Sequence, residues 1–467
     1  MRTKDNWCSK EFHSIKFGDT RLTRRFLKVA DDLLNNPGQA IHAACDGWAE
    51  AKGAYRLFDN DKVKESMILQ SHQSETAQRL QASTEDVLFA IQDTTTLVYT
   101  HHPQKTGIHK VNRTAGFDNP VKGFFLHNTL LMTEQGVPLG LLDQKIFQNE
   151  LEEKKGNHKR RPITEKQSFK WLESLHTTQA LCGNKRVVHL CDRESDIFEF
   201  FMEAENLGAS VLVRAAKDRI LLGDTEQNTL WNHMKKVSAA GVQSIHLPAR
   251  HNQKERDVNL EVRYDEILMK PPQRSPQAKD LVLKPLKMWA VWFSEINPLI
   301  DVEPLEWMLL TNIPVICLEE ALQMGKWYRL RWQIECYHRI LKAGCKIEEC
   351  RLEAYERLIK YVRLQSVIAF RLFWLTMINR MSPENSCDMI LDTHEWKALY
   401  CYINKVRTPP PKAPSIREVI RMIAKLGGFL GRRCDGEPGM TYIWRGWEKL
   451  VIITDFWLTT YSEAICG

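Results

Sequence analysis

The sequence predicts a mixed α/β fold with a helical segment at each end, and three observations support this. Two apolar runs, Val87–Asp93 and Val187–Asp192, each close on an aspartate and are typical of buried strands. The segment after the second run, Asp192–Asn206, has helical periodicity. Strand-like patterns dominate the next stretch, and helices resume at Leu318. We therefore predict a helical domain over residues 1–67, an α/β domain over 68–370 with a β-rich insertion at about 209–312, and a helical C-terminal domain over 371–467.

The N-terminal segment contains basic and apolar residues that alternate at helical spacing. Arg21–Ala30 predicts one helix, and Gly47–Arg56 predicts a turn followed by another. A small helical domain with a basic face is a candidate for DNA binding, with Arg25 and Arg56 as candidate contacts. A solvated helix face would give the same pattern, and this segment alone favours that simpler interpretation.

The predicted strands of the central domain share short apolar runs bounded by polar or turn-forming residues. They are Val87–Asp93, Phe124–Met132, Val137–Leu142, Val187–Asp192, Val211–Arg214, Ser244–Leu247, Val258–Tyr264, Met288–Phe293 and Trp307–Thr311. The helical C-terminal third is interrupted at Thr408–Pro414, a proline-rich joint that is typical of a stiff linker or loop.

The overall composition is that of a globular protein with enough apolar material for a sizeable core. The 467 residues are 43% hydrophobic and 26% charged, and the formal net charge is +7. This length suggests two or three domains. The mildly basic balance permits a polyanionic partner such as nucleic acid without requiring one.

Cysteine usage and hydropathy favour a cytoplasmic protein without a membrane anchor. The twelve cysteines occur at irregular intervals without a C-x-x-C pair, and Met1–Asn6 is polar, so we expect free thiols in a reducing compartment. The longest apolar stretch, Val367–Ile378, is interrupted by Arg371 and is too short to span a bilayer. Cys336 and His338 would point to different faces of a helix, which disfavours a zinc site.

The two strand-terminal aspartates predict a cation site. The carboxyl edge of an α/β sheet is where ligands usually bind, and both Asp93 and Asp192 are expected to emerge there. Two carboxylates cannot both stay ionised side by side without a cation, and magnesium or manganese is the natural partner for oxygen ligands. An aspartate that caps the turn Thr94–Thr96 is an alternative for Asp93. The sequence contains no G-x-x-x-x-G-K-[ST] loop, so we expect no nucleotide cofactor.

A polar stripe on a predicted helix is the most informative segment. On one continuous helix, a narrow stripe would contain Tyr328, Arg331, Glu335, Arg339 and Lys342, with Trp332 at its margin. Glu–Arg pairs on a solvated face are the simpler interpretation. However, a carboxylate that holds a metal, cations that hold phosphates and aromatic rings that stack on bases would explain the whole stripe, and we favour that interpretation.

These motifs together resemble bacterial cut-and-paste insertion-sequence transposases of the DDE class, in the hairpin-forming group with a Y-R-E-K motif. The stripe supplies the motif as Tyr328-x-x-Arg331-x-x-x-Glu335-x6-Lys342. Further matching segments are Ile91–Thr95, Cys191–Asp196, Gly18–Arg21, Gly53–Arg56, Leu426–Phe429 and Trp444–Trp447. Arg339 stands where lysine is expected. The resemblance covers nearly the whole chain.

The resemblance implies a ribonuclease H-like catalytic core with an inserted β-domain, flanked by helical N- and C-terminal domains. It implies that Asp93, Asp192 and Glu335 bind two Mg²⁺ ions, for which Mn²⁺ can substitute. Trp307 would capture a flipped base, as a tryptophan of the family does. The implied DNA contacts are Arg25, Arg56, Arg214, Tyr328, Arg331, Trp332, Arg339 and Lys342.

The implied activity is excision and insertion of a DNA element. The enzyme would bind the terminal inverted repeats, nick the DNA, form and reopen a hairpin, and join the 3′ ends to target DNA. The implied partners are double-stranded DNA and a second copy of the chain, with the aromatic tail Trp444–Ile465 as a candidate dimer surface. Two alternatives stay open: a ribonuclease H-like nuclease without strand transfer, and a domesticated or inhibitory DNA-binding derivative.

Overall fold

The computed structural model describes residues 7–111, 121–149, 162–223, 228–247, 255–272, 283–300, 302–432 and 435–461. The strands in these ranges are β1 Leu88–Val98, β2 Gly123–Thr133, β3 Pro138–Phe147, β4 Val187–Cys191, β5 Ser210–Arg214, β6 Gly241–Leu247, β7 Arg256–Met269, β8 Leu286–Glu295 and β9 Glu306–Thr311. The α-helices are α1 Trp7–Glu11, α2 Thr20–Asn35, α3 Ile41–Ala44, α4 Trp48–Asp59, α5 Glu65–Ala82, α6 Phe169–Cys182, α7 Phe198–Asn206, α8 Leu230–Lys236, α9 Leu318–Arg329, α10 Trp332–Arg339, α11 Tyr355–Met381, α12 Thr393–Asn404, α13 Ile416–Leu426 and α14 Met440–Tyr461.

The strands form one mixed sheet in the order β3-β2-β1-β4-β5-β9-β8-β7-β6. The first five strands of that order are the ribonuclease H-like core: β1, β2 and β3 form an antiparallel meander, and β4 and β5 add in parallel to β1. Most residues of β1, β2 and β4 are buried, which is why their sequences contain long apolar runs. The predicted α/β class with helical ends is therefore confirmed.

The β-rich stretch after residue 209 extends the catalytic sheet and does not form a sheet of its own. Strand β9 pairs with β5 through Leu212↔Thr311 and its neighbours, and β8, β7 and β6 follow by antiparallel pairing. The predicted β-rich insertion is therefore continuous with the sheet of the core. Alternating patterns identify strands, but they carry no information about which edge a strand joins.

The two faces of the sheet are covered by different helices. On one face, α10 and α11 reach β2 and β3 through hydrogen bonds made by His338 and Arg363. On the other face, Trp171 of α6 packs edge-on against His127 of β2, with ring centroids 4.6 Å apart. Side chains therefore alternate between two buried environments along β1–β3, which fixes the register of these strands.

Helix α11 is the central buried helix of the protein. Tyr355–Met381 is long and apolar enough to cross a membrane, but 94% of its most apolar window is buried inside the protein. Burial of this kind is typical of a core helix. The predicted boundary at residue 370 falls inside α11, and the one at residue 67 falls inside α5. Both helices therefore belong to two of the predicted units at once.

The segment that carries the polar stripe is not one continuous helix, and the prediction of one is corrected here. Helix α9 ends at Arg329 and α10 begins at Trp332, and the joint is tightened by i→i−3 hydrogen bonds such as Arg331 N–H to Tyr328 O at 3.0 Å. A single π-helical turn, Ile340–Gly344, follows α10. Both irregular turns have a different number of residues per turn from a regular α-helix. Residues before and after them therefore point in different directions, and the predicted stripe is divided.

A buried charged network ties the N-terminal region to the central sheet. Glu11 of α1 accepts two hydrogen bonds from the Arg79 guanidinium at 3.0 Å each, and His72 Nδ1 donates to the same carboxylate. His72 Nε2 accepts from Leu141 N–H at 2.8 Å, so this imidazole is neutral with its proton on Nδ1. Although burial of Glu11 acts in the opposite direction, His72 and Arg79 lower the pKa of this carboxyl to about 2.

Replacing Glu11 by Ala should destabilise the protein by about 3–5 kcal/mol, because Arg79 loses its counter-charge and the buried His72 Nδ1–H loses its acceptor. Urea unfolding followed by circular dichroism measures the change. The control is Glu75→Gln, which breaks the contact with the half-exposed His13 and should cost less than about 1 kcal/mol. Equal losses in the two variants would contradict a structural role for the buried network.

Candidate active site

Asp93 on β1 and Asp192 directly after β4 occupy matching positions along two neighbouring parallel strands. The pairing of β1 with β4 ends at Ile91↔Leu190, so two further residues along each chain reach Asp93 and Asp192. Neighbouring strands are about 4.8 Å apart, and residues at matching positions share a face. The prediction that Asp93 ends its strand is wrong, because β1 continues to Val98 against β2. The two aspartates nevertheless meet where β4 ends.

Asp192 has a structural role as well as its place in the site. Its carboxylate accepts from Glu194 N–H at 2.9 Å and so caps the short 3₁₀ turn Arg193–Ser195. Burial raises the pKa of Asp192, although this hydrogen bond opposes the shift. The turn-capping role that the sequence left open for Asp93 therefore belongs to Asp192, while Asp93 lies within a strand.

Arg331 lies among the three acidic residues. It forms an ion pair with Glu335 one helical turn later. Its positive charge also lowers the pKa values of Asp93 and Asp192 relative to what burial would give. Among the described residues, no three His, Cys, Asp or Glu side chains form a group close enough to hold a metal ion. Glu335 is directed to Arg331 in this conformation.

The surroundings of Asp93 contain too little positive charge to offset the cost of burying its ionised carboxylate. Its pKa is raised to about 7, first by burial, then by the charge of Asp192 and to a smaller extent by Glu335, while Arg331 acts in the opposite direction. Asp93 is within electrostatic reach of both Asp192 and Glu335, and carboxylate oxygens are the ligands that Mg²⁺ and Mn²⁺ prefer. The side chains present therefore fit divalent cations, provided that Glu335 exchanges Arg331 for the cation.

The site contains a polar neighbour that sequence reasoning missed. His338 Nδ1 lies 3.7 Å from Asp93 Oδ2, and its Nε2 lies 2.8 Å from Asn128 Nδ2. Burial lowers the pKa of His338 to about 3, so the ring is neutral. The spacing from Glu335 to His338, three residues on a helix, was the signal that could have identified it.

An aromatic and basic pocket adjoins the carboxylates. The rings of Trp307 and Tyr328 meet edge-on at 6.2 Å, and Arg214 donates to Glu306 O at 2.8 Å beside them. Burial raises the pKa of Tyr328, while the nearby charges of Arg331 and Arg214 act to lower it. The structure therefore brings Trp307, to which the resemblance assigns base capture, together with Tyr328 and Arg214, two of the implied DNA contacts.

The other stripe residues do not join this pocket. Arg339 is exposed, and its guanidinium lies 3.7 Å from the sulfur of Met440 on α14. Lys342 donates to Thr96 O of β1 at 2.6 Å. Trp332 is 52% exposed. The change of helical phase described above accounts for this separation.

The N-terminal candidates form a second basic surface. Arg25 and Arg56 line a shallow groove together with Arg21, Lys62, Asp19, Leu22, Leu57 and Asn60. Arg25 lies directly over Gly53, where a β-carbon would collide with its guanidinium. Glycine at this position therefore lets α2 bring Arg25 beside Arg56 of α4.

Models of three protein families match successive parts of the chain. Residues 4–63 match a family described as transposase DNA-binding, and residues 140–369 match the transposase DDE domain. Residues 367–464 match the transposase Tn5 dimerisation domain. The three matches follow the order of the three predicted units.

A comparison with solved structures finds similarity to a piggyBac transposase synaptic complex with hairpin DNA. The sequence identity is 9%, and the TM-score is 0.33. The similarity covers 81% of this chain and 67% of that chain.

Asp93→Asn should stabilise the metal-free protein at pH 8 far more than at pH 5. Between the ordinary aspartate pKa of 3.8 and the folded value of about 7, the folded protein keeps a proton that the unfolded chain has lost. Stability therefore falls as pH rises through this window, by up to about 4 kcal/mol, and asparagine removes the effect. Urea unfolding in EDTA at both pH values measures the difference.

The matched control for this experiment is Glu266→Gln, which removes an exposed carboxylate that pairs with the exposed Lys287 between β7 and β8. Its effect on stability should be the same at pH 5 and pH 8. If Asp93→Asn shows the same small, pH-independent effect, the pKa of the Asp93 carboxyl group is not raised in the folded protein.

Proposed function

Because the chain belongs to the DDE-class insertion-sequence transposases, we propose that it excises a DNA element and joins it to target DNA at a site formed by Asp93, Asp192 and Glu335. The observation that carries this proposal is the placement of Arg331 among three carboxylates at the centre of the ribonuclease H-like sheet. A single site of this kind can act on one strand end after another.

The carboxylates of Asp93, Asp192 and Glu335 would hold two Mg²⁺ ions, or Mn²⁺ in their place. Bound divalent ions supply the charge that activates an attacking oxygen and stabilises a leaving one. The ion pair between Arg331 and Glu335 has to open for Glu335 to serve as a ligand. Arg331 would then be free to contact a DNA phosphate beside Asp192.

The aromatic pocket suits a base that has left the duplex stack. A hairpin end bends the backbone sharply, and an extruded base costs a few kcal/mol unless a pocket receives it. The half-buried Trp307 would offer a ring on which the base stacks, the buried Tyr328 packs edge-on against it, and Arg214 would offer a cation for the adjacent phosphate. We propose that this pocket supports hairpin formation between first-strand nicking and the final joining step.

DNA binding and pairing of the ends would use the two helical regions. The groove lined by Arg25 and Arg56 supplies cations for the terminal repeats. On α14, Ile452 is 67% exposed and Phe456 is 71% exposed, which suits contact with a second copy of the chain. Trp447 on the same helix is buried and donates to Leu34 O at 3.2 Å, so part of the predicted dimer surface packs on its own chain. Residues 462–465 of that surface lie outside the described residues.

Asp93→Ala, Asp192→Ala and Glu335→Ala should each reduce Mn²⁺-dependent cleavage of terminal-repeat DNA by at least about a thousand-fold. The reason is that cation stabilisation of the transition state is worth several kcal/mol. Denaturing gels with end-labelled DNA measure the products. Glu266→Gln, in an exposed pair with Lys287 on the far strands of the sheet, is the control and should cut normally. Robust cleavage by all three alanine variants would refute the site.

Precut ends distinguish a transposase from a nuclease. A transposase joins a precut 3′ end to target DNA, while a nuclease gives cleavage without a joined product. A domesticated or inhibitory derivative would bind the repeats and cut nothing with either metal. The joined product is therefore the diagnostic species.

Trp307→Ala should lower the yield of hairpin ends by roughly 10- to 100-fold while nicking continues, because stacking on an aromatic ring contributes about 1–3 kcal/mol per base. The control is Trp289→Ala on the neighbouring strand β8, where Trp289 pairs with Thr311. Quantifying nicked and hairpin products from the same reaction measures the split. A parallel loss of both products in Trp307→Ala would argue against base capture.

A further inference from the structure

A row of buried polar side chains crosses the sheet and ends at Asp93. Asp93 of β1 is paired in register with Asn128 of β2, and Asn128 is paired with Gln144 of β3. Residues opposite each other on neighbouring strands project from the same face. Asn128 is 0% exposed and Gln144 is 2% exposed, so each of their polar groups needs a partner within the protein.

Arg363 of α11 sets the direction of every hydrogen bond in this row. A guanidinium can only donate. Its Nη1 lies 3.0 Å from Gln144 Oε1, and its Nε donates to Glu65. Gln144 must therefore accept with its oxygen, which leaves its amide group to donate to Asn128 Oδ1 at 2.7 Å.

The same logic fixes the proton on His338. Because Asn128 accepts with Oδ1, its amide group donates to His338 Nε2 at 2.8 Å. A neutral imidazole that accepts at Nε2 carries its proton on Nδ1. His338 Nδ1 is the atom that faces Asp93 Oδ2 at 3.7 Å. The donor-only Arg363 thus determines, from the far end of the row, that Asp93 faces an N–H and not a lone pair.

We propose that His338 is a positioning residue that holds the Asp93 carboxylate in place for a divalent cation, with its tautomer fixed by Asn128, Gln144 and Arg363. The inference rests on the proposed function, since it concerns the same metal site. His338 lies on α10 three residues after Glu335, so its contact with β1 also fixes the height of Glu335 relative to the sheet. An outer residue that orients a ligand typically changes metal affinity by about 10- to 100-fold.

A purely structural histidine in the same protein provides the comparison. His72 also holds a carboxylate through Nδ1 and accepts a backbone N–H at Nε2, but its partner is Glu11 in the buried network of the N-terminal region. Both rings are buried, at 6% exposure for His338 and 0% for His72. His72→Gln therefore matches His338→Gln in chemistry and burial.

The test uses the full-length protein and Mn²⁺ alone, titrated by calorimetry. His338→Gln should weaken Mn²⁺ binding by about 10- to 100-fold, and His338→Asn should recover part of the loss, because an asparagine amide can occupy the place of Nδ1–H. His72→Gln should lower the unfolding temperature and leave Mn²⁺ affinity within about two-fold of the parent.

Gln144→Glu tests the direction of the row with almost no change of volume. An ionised glutamate still accepts from Arg363 but cannot donate to Asn128. Asn128 must then turn its amide toward the new carboxylate, and its oxygen faces His338, which moves the proton to Nε2. NMR of protein labelled with ¹⁵N-histidine should show His338 protonated at Nδ1 in the parent and at Nε2 in this variant, with Mn²⁺ affinity reduced as in His338→Gln.

The outcomes are separable. Unchanged Mn²⁺ affinity in His338→Gln and Gln144→Glu overturns the positioning role, as does an equal loss of affinity in His72→Gln. An Nε2-protonated His338 in the parent overturns the proposed direction. Asp93→Asn reports on the proposed function itself: if it binds Mn²⁺ as tightly as the parent, the metal site is wrong, whatever His338 does.

Discussion

The need to balance buried negative charge at the centre of the sheet is the constraint on which the rest of this structure depends. Asp93 and Asp192 are brought together by parallel pairing of β1 with β4, and Glu335 approaches from a helix on top. Carboxylates in so little water cannot all remain ionised without a cation nearby. Arg331 supplies that charge in this conformation, and divalent ions would supply it in catalysis. The raised pKa of Asp93 follows directly from its burial beside the negative charge of Asp192.

The irregular helix above the sheet separates the polar residues of the Tyr328–Lys342 segment from one another. A regular helix from Tyr328 to Lys342 would place all of its polar residues on one side. Tyr328 in the aromatic pocket, Glu335 at the acidic site and Lys342 at β1 could not then reach three different places. The tightened joint after Arg329 and the π-helical turn at Ile340–Gly344 distribute them. Irregular turns of this kind are frequent at functional sites, because a regular helix offers only one phase.

Helix α11 connects the central sheet with the N-terminal region through direct hydrogen bonds. Lys360 of α11 donates to Phe58 O and Asn60 O at the end of α4, at 3.0 Å each, and Arg363 on the same helix directs the polar row that reaches Asp93. Helix α11 therefore touches the basic N-terminal region at one point and the candidate metal site at another.

The sequence by itself determined the α/β class, the helical ends and the strands, because apolar periodicity is a local property of the chain. It also named Asp93, Asp192 and Glu335 as candidates through their motif spacing. It did not determine that the inserted strands extend the catalytic sheet, because pairing between β5 and β9 joins residues far apart in sequence. Nor did it identify the partners of His338, or separate Arg339 and Lys342 from the aromatic pocket. Hydrogen-bond direction, helical phase and charge balance are set by groups that meet only after folding, and only the tertiary structure could decide them.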